Sequence, residues 1–402
     1  MEAYLLDWAN LLLRWVHVIT AIAWVGSSFY FVFLDNSLEP PEDPKLAEKG
    51  VGGELWAVHG GGFYNPQKYK GAPPKLPAHL HWFFWESYTT WLSGFALFTV
   101  LYLWQAGTFL VDKNVHDWPP ILAGAAAICF LIAFWVIYDV ICRIFTGRRN
   151  ADATIGAFVF AYVVIAAYVA CQLFPGRAAF LLMGAMIATA MSANVLIYII
   201  PGQRKTIAQM KAGKPVDPIY GVIGKQRSVH NTYFTLPVIV AMLSNHYPFL
   251  SGGKQNWLVL VLMMLAGALI RQYFVARHKR LLEGKGGPWG FAVVGVLIIA
   301  GVIAWLAPAP APEPVAGAAP AAPPTFAEVQ QVITTRCVIC HNATLNQKGV
   351  RLDTTEDIAK HAMEINQQAV VLKMMPFGNA TQITDQERAL LGRWVAAGAP
   401  TK

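Results

Sequence analysis

A helix needs roughly 20 apolar residues to cross the hydrocarbon core of a bilayer, and this chain contains eight runs of that kind. They lie at approximately 9–34, 79–105, 119–143, 154–174, 177–200, 229–247, 255–277 and 289–307. The sixth is short and contains Pro237, and the first two are separated by a polar segment, 35–78, rich in Gly and Pro. Soluble chains carry about 25% charged residues; here the figure is 13%, with 55% hydrophobic. The expected fold is all-α: an eight-helix transmembrane bundle over residues 1–307 embedded in a lipid bilayer. The first run is too long for a cleavable leader and lacks a small-residue cleavage site, so no such leader is expected.

The net charge of +8 does not point to nucleic acid, because the basic residues lie in the loops between apolar runs. Segment 35–78 holds five Lys, 143–149 three Arg, 201–228 six basic residues including Arg227, and 271–288 five more; the alternate loops hold only Lys113, Arg177 and Lys254. Cytoplasmic loops carry the excess of Lys and Arg. Both ends are therefore expected outside the cytoplasm, together with everything after the last apolar run.

After Leu306 the composition changes. Residues 308–324 hold seven prolines among alanines, a semi-rigid spacer that reaches roughly 50 Å at about 3.1 Å per residue. Residues 325–402 then form a small polar domain. Within it Cys337-Val338-Ile339-Cys340-His341 has the C-x-x-C-H spacing of c-type haem attachment, two thiols for the haem vinyl groups and a histidine for the iron. A zinc site would need a second ligand pair at short spacing, and only His361 is at hand. A redox dithiol would need a βαβ context that is absent. Cys129, Cys142 and Cys171 sit singly in apolar runs and read as packing residues. Thr325-Phe326-Ala327-Glu328 and Thr384-Asp385-Gln386-Glu387 are capping boxes that open helices. Two terminal helices beside a haem resemble small cytochromes c. By the same resemblance, Met375 before Pro376 is the expected distal iron ligand, with Met374 next and Met363 also a candidate.

Ionisable residues inside membrane helices are costly and mark function. Glu86, Asp139, Asn194, His230, Asn231, Thr232, Arg271 and Gln272 fall in the cytoplasmic half of the expected bundle, and His17, Asn245 and His246 in the outer half. Glu86 lies one turn after Trp82 and seven residues after His79, on the same helix face. Asp139 and Arg143 are four apart and read as an i,i+4 ion pair. Arg271 reads either as a snorkelling residue or as a functional cation. His17, Trp24 and Ser28 share a face of the first helix, either as a packing stripe or as the place of a haem b ligand.

The segments Leu55-Trp56-Ala57-Val58-His59-Gly60-Gly61-Gly62-Phe63-Tyr64 with Leu80-His81-Trp82-Phe83-Phe84-Trp85-Glu86, and His230-Asn231-Thr232-Tyr233-Phe234-Thr235-Leu236-Pro237 with Ser244-Asn245-His246-Tyr247-Pro248, are long and unusual. Together with the C-x-x-C-H domain they resemble the bacterial membrane-bound cytochrome c urate oxidases, or urate hydroxylases. The resemblance implies an inner-membrane enzyme that oxidises urate to 5-hydroxyisourate. Its electrons pass to covalently bound haem c, not to O₂, and onward to a soluble cytochrome c or a terminal oxidase. The site residues follow from chemistry alone. Urate near neutral pH is a planar monoanion, and its two-electron oxidation needs a base and a positioned water. Glu86 and His230 are the candidates for those two tasks, with Asn231 and Arg271 orienting the anion. Haem c accepts one electron at a time, so a substrate radical or a second redox centre must intervene. Two other classes remain open: a quinol- or haem b-linked electron-transfer subunit using His17 or the pair His81 and His230, and a transporter or sensor that carries a cytochrome.

Overall fold

A computed structural model of the chain describes residues 2–71, 73–148, 150–307, 324–345, 349–371, 373, 375, 376, 379 and 381–401. It is mostly helical, at 71%, with little sheet. The spacer expected at 308–324 lies outside the described residues except for Pro324, and so does Met374.

Helix α1 spans Glu2–Ser37 and is followed by the short α2, Pro44–Glu48. Asp43 caps α2 by accepting the amide of Lys45 at 2.9 Å. The polar segment that follows is not irregular, and it adds strands to an otherwise α-helical chain. β1 (Val51–Glu54) pairs antiparallel with β4 (Gln67–Tyr69), enclosing a hairpin of β2 (Ala57–His59) and β3 (Gly62–Tyr64) in the register Ala57↔Tyr64 and His59↔Gly62. Gly60 and Gly61 turn the hairpin with φ of 59° and 80°. A two-residue turn of this kind requires positive φ at both positions, which glycine adopts without a Cβ clash.

Next come α3 (Trp85–Phe98), a π-helical stretch at Thr99–Leu103, α4 (Ala106–Phe109), α5 (Pro120–Phe145), α6 (Ala151–Leu173) and α7 (Gly176–Ala193). A second π-helical stretch, Asn194–Ile199, joins α7 to α8 (Ile200–Lys211). Pro201 accounts for this irregularity: it has no N–H to give, and its ring crowds the carbonyl four residues before it. The remaining helices of this part are α9 (Pro218–Leu243), α10 (Pro248–Ser251), α11 (Asn256–Leu282) and α12 (Trp289–Trp305).

Five helical segments among the described residues are long and apolar enough to cross a membrane: Tyr4–Ser37, Pro120–Phe145, Ala151–Leu173, Gly176–Lys211 and Asn256–Leu282. The other three expected runs fall short of that measure for separate reasons. The run at 79–105 becomes helical only at Trp85, and α3 has 14 residues before its π stretch. The run at 229–247 covers the later part of α9, which ends at Leu243 before a 3-10 turn at Ser244–His246, and the earlier turns of α9 carry Lys225, Gln226, Arg227 and Ser228. α12 is apolar throughout but 17 residues long.

α7 is the centre of the packing. Ala179, Leu182, Met183, Met186, Ile187 and Ala190 are buried against residues of α5, α6, α9 and α11 such as Phe134, Ala167, Ala241 and Leu260. α1 lies on α3, and α12 on α11. Gly295 lets that last pair approach closely: a Cβ there would meet Ile270 Cγ1 at 2.8 Å and the Ala266 carbonyl at 3.0 Å, the small-residue contact that brings membrane helices together.

Residues 324–401 have their own core. α13 (Phe326–Arg336), α14 (Thr355–Lys360), α15 (Ala362–Ile365) and α16 (Asp385–Ala396) bury Val329, Ile333, Ile358, Leu391 and Trp394 together. Both expected capping boxes are formed, at Thr325 with Glu328 and at Thr384 with Glu387. Glu387 also accepts Arg336 Nε and Nη2, each at 3.0 Å, which ties α16 to α13. Burial pushes the Glu387 carboxyl up, but hydrogen bonds from Thr384 and Arg336 outweigh it and hold the group below its ordinary value. A depressed carboxylate contributes stability above its unfolded pKa, and that contribution is lost as pH falls through the folded value. Glu387→Gln should therefore speed amide hydrogen exchange across α16 at pH 7, and the difference from the parent chain should shrink as pH falls below about 4.

Candidate functional site

Where α5, the α7–α8 junction and α9 meet, two charged side chains and a chain of neutral ones are bonded together inside the helices. Asp139 on α5 uses both carboxylate oxygens. Arg143 Nε donates to Oδ2 at 2.7 Å, which is the i,i+4 pair expected from the spacing. Arg227 Nη2 donates to Oδ1, also at 2.7 Å. Arg143 is exposed, whereas the Arg227 side chain is only 2% exposed. Arg227, expected in the loop 201–228, lies inside α9 instead. Asp217 and Pro218 explain the difference. The Asp217 carboxylate accepts the amide of Ile219 at 3.0 Å, and proline takes the first helical position, so the helix opens well before the apolar run. Once α9 starts there, Arg227, Asn231 and Thr235 recur every four residues as one buried face.

A guanidinium can only donate, and this fixes the direction of the amide bonds beyond it. Arg227 Nη1 donates to Asn194 Oδ1 at 3.3 Å. The Asn194 amide nitrogen must then face the other way, and it donates to the Tyr138 hydroxyl and to Asn231 Oδ1, both at 2.9 Å. Asn231 Nδ2 in turn donates to the Met191 carbonyl at 3.0 Å. The Tyr138 hydroxyl is also hydrogen-bonded to His230 Nδ1, 2.9 Å away, with the imidazole tautomer setting which of the two donates. Cys142 Sγ lies 3.7 Å from the same nitrogen. Arg227 also stacks beside two rings, 5.2 Å from the Tyr138 centroid and 4.3 Å from that of Tyr198.

Two of the residues expected at the site, His230 and Asn231, thus share one network, and Asn231 has both ends of its amide engaged in it. Among the described residues no hydrogen bond or ion pair joins Glu86 or Arg271 to that network. Glu86 is half-buried in the first turn of α3. Arg271 on α11 is 5% exposed, and its guanidinium lies 3.8 Å from the Phe29 ring of α1. Its Nε and Nη2 are buried without a hydrogen-bond partner, and no carboxylate pairs with it among the described residues. Beside it in sequence, Gln272 accepts the hydroxyl of Tyr233 from α9.

The remaining histidines are placed separately. His17 Nδ1 lies 3.0 Å from the Thr90 carbonyl and 3.2 Å from Ser93 Oγ on α3. His81 packs edge-on against Phe83. His230 packs edge-on against Tyr138, so the two histidines considered as a ligand pair have different neighbours. On the far side of α9, Asn245 accepts the Tyr102 hydroxyl at 3.1 Å, and its carbonyl accepts Arg177 at 3.0 Å.

In the C-terminal unit, Cys337 and Cys340 are free thiols, and Cys337 is pushed up to about 11 by burial. His341 Nδ1 donates to the Val350 carbonyl at 3.1 Å, which leaves Nε2 with its lone pair. A metal-binding histidine is oriented in this way. Met375 packs against the core of this unit, and its carbonyl accepts Arg388 Nη1 at 2.8 Å. Two thiols, an imidazole with a free Nε2 and a thioether are the donor types that a covalently held haem would use. Among the described residues no group of three or more His, Cys, Asp or Glu is placed to hold a metal ion.

Fold and site together define a mostly helical protein with five segments, among the described residues, long and apolar enough to cross a membrane, and a buried charged network between helices. Residues 3–307 match the urate oxidase N-terminal family, and the chain belongs to that family. Membership suggests an oxidoreductase that acts on urate. No curated protein and no solved structure matches the chain.

Removing one partner of a buried ion pair strands the other charge and costs about 3–5 kcal/mol. Asp139→Asn should therefore lower the thermal midpoint of the detergent-solubilised protein sharply, and Asp139→Asn combined with Arg227→Met should recover part of the loss. Arg143→Ala, which removes an exposed partner, should cost about 1 kcal/mol or less.

Proposed function

We propose that this chain is a membrane-bound urate:cytochrome c oxidoreductase. It converts urate and water to 5-hydroxyisourate, releasing two electrons and two protons. The electrons leave through haem c held by Cys337 and Cys340, with His341 and Met375 on the iron, and pass to a soluble cytochrome c or a terminal oxidase. No hydrogen peroxide is formed. In this reading residues 1–307 are an eight-span urate oxidase domain in the inner membrane, 308–324 a linker and 325–402 a periplasmic cytochrome c domain.

The observation that carries the substrate assignment is Arg271. A buried charge without a partner costs several kcal/mol, and the family's substrate is an anion whose charge would remove that cost. Arg227 has no such need, because Asp139 neutralises it. Arg271 therefore binds and orients urate, with the Phe29 ring centroid 3.8 Å from its guanidinium. Glu86 and His230 take the proton and position water, and Asn231 holds the polar network through Asn194. The haem, when attached, supplies a one-electron acceptor.

One feature favours a second reading. The Thr90 carbonyl can only accept, so His17 carries its proton on Nδ1 and leaves Nε2 without a hydrogen-bond partner, as an iron ligand would be held. A haem b electron-transfer subunit would show that haem as non-covalent pigment on acid–acetone extraction.

Adding urate anaerobically to the purified full-length protein should reduce the covalent haem, and under air it should yield no stoichiometric peroxide. Arg271→Leu should raise the urate KM about 10- to 100-fold, the loss of one charge-assisted bond, with the covalent haem retained. Peroxide formed in step with urate consumption would overturn the proposal.

A further inference from the structure

The residues read as haem ligands come from two places in the C-terminal unit. Cys337, Cys340 and His341 follow α13, whereas Met375 lies on the segment before α16. We propose that Arg388 on α16 is a positioning residue for Met375: its guanidinium holds the backbone of that residue and so keeps the thioether on the iron. This rests on the reading of residues 325–402 as a cytochrome c domain, and it adds the residue that sets how firmly the distal ligand is held.

Three observations carry it. Arg388 is 6% exposed, and a charge so buried needs partners. Its neighbouring carboxylates are engaged elsewhere: Asp385 accepts Lys373 Nζ at 2.9 Å, and Glu387 accepts Arg336. Second, the bonds that Arg388 does make converge on the segment of Met375. Nη1 donates to the Met375 carbonyl at 2.8 Å and also to the Ala369 carbonyl. Ala369 belongs to a π-helical stretch, Asn366–Val371, that packs on α16. Third, the Met375 backbone is held from its other side, where its amide donates to the Gln368 carbonyl at 3.0 Å. Amide and carbonyl of this one residue are thus both fixed, and its side chain packs on the same core as Cys337 and Val338.

The consequence is a competition at the distal position. A thioether is a weak, neutral ligand, so its hold on iron depends on how well the backbone presents it. Fixing that backbone beforehand removes part of the entropy cost of placing the side chain. Without the guanidinium, the Met375 and Ala369 carbonyls lose a charged donor, and Met375 spends more time away from the iron. The distal position is then open to small ligands. A closed position suits a domain that only passes electrons, because access there decides between ligand binding and electron transfer.

The test uses the full-length protein with its covalent haem in the ferric state and imidazole as the probe. Binding is followed by loss of the Met–iron charge-transfer band. Apparent affinity scales with the fraction of protein in which the position is open. A charge-assisted hydrogen bond shifts such an equilibrium about 10- to 100-fold, so Arg388→Gln should bind imidazole more tightly than the parent by that factor. Arg388→Lys keeps a cation on a shorter stem without the planar fork, and it should bind imidazole at least about threefold more tightly but less tightly than Arg388→Gln. Glu387→Gln loosens α16 from α13 without touching Met375 and should stay within about threefold of the parent. Parent affinity in Arg388→Gln, or an equal rise in Glu387→Gln, would overturn the positioning role. If Arg388→Gln accumulates without haem, Arg388→Lys decides, and parent affinity there would overturn it. Met375→Ala with the charge-transfer band intact would put another methionine on the iron and overturn the proposal through its ligand. A parent chain with no covalent haem would overturn the cytochrome reading itself, and the role of Arg388 with it.

Discussion

The interior of this bundle is organised by the need to neutralise one guanidinium. Arg227 sits on α9 where the surrounding helices leave it almost no solvent, and in such surroundings an unpaired charge costs several kcal/mol. Asp139 supplies the counter-charge across a 2.7 Å bond, which pins α5 to α9. The consequences run outward from that bond. Because the guanidinium has donors only, Asn194 must turn its oxygen to it and its nitrogen away. Asn194 and Asn231 then each have one amide orientation, and Tyr138 receives a donor from the first. A neutral hydrogen-bonded cluster of the same residues could flip as a set; the fixed charge at its head removes that freedom.

The π-helical stretch at Asn194–Ile199 belongs to the same construction. Pro201 prevents a regular helix from running through the α7–α8 junction, and the altered winding begins at Asn194. That asparagine makes hydrogen bonds to Arg227, Tyr138 and Asn231, on two neighbouring helices. A change of helical pitch alters which side chains face the interior, and such irregularities recur at functional positions.

Much of this was legible in the sequence, and the parts that were not have physical causes. Five of the eight apolar runs located helices long and apolar enough to cross a membrane, among the described residues, because a crossing helix needs roughly 20 apolar residues and so leaves a long local signal. The two capping boxes announced α13 and α16 because their side-chain bonds are local. The Asp139–Arg143 pair was also local, at four residues. Asp139 with Arg227 spans 88 residues of chain, and no spacing rule reaches that far. The local clue was the Asp217-Pro218 start signal, which turns Arg227 from a loop charge into part of a helix face. Tyr138 was hidden for another reason. Tyrosines near helix ends read as interfacial belt residues, and only packing shows that this one is buried and bonded. Arg271, by contrast, was open to two readings, and what packing adds is that its Nε and Nη2 are buried without hydrogen-bond partners while its guanidinium lies against the Phe29 ring.

Three histidines show how partner chemistry, not residue type, sets what an imidazole can do. His17 and His341 each face a backbone carbonyl through Nδ1, at 3.0 and 3.1 Å. A carbonyl only accepts, so the proton sits on Nδ1 and the lone pair on Nε2, the state that binds metal. His230 faces a hydroxyl, which can both give and take a proton, and that hydroxyl also receives Asn194. The first two therefore keep a lone pair on Nε2, whereas the third is bonded to a group that can exchange a proton with it. The sequence presents His17 and His230 as single histidines in apolar runs and His341 as the last residue of the C-x-x-C-H motif. Their division of labour follows from one carbonyl or hydroxyl apiece, each supplied by a different part of the chain.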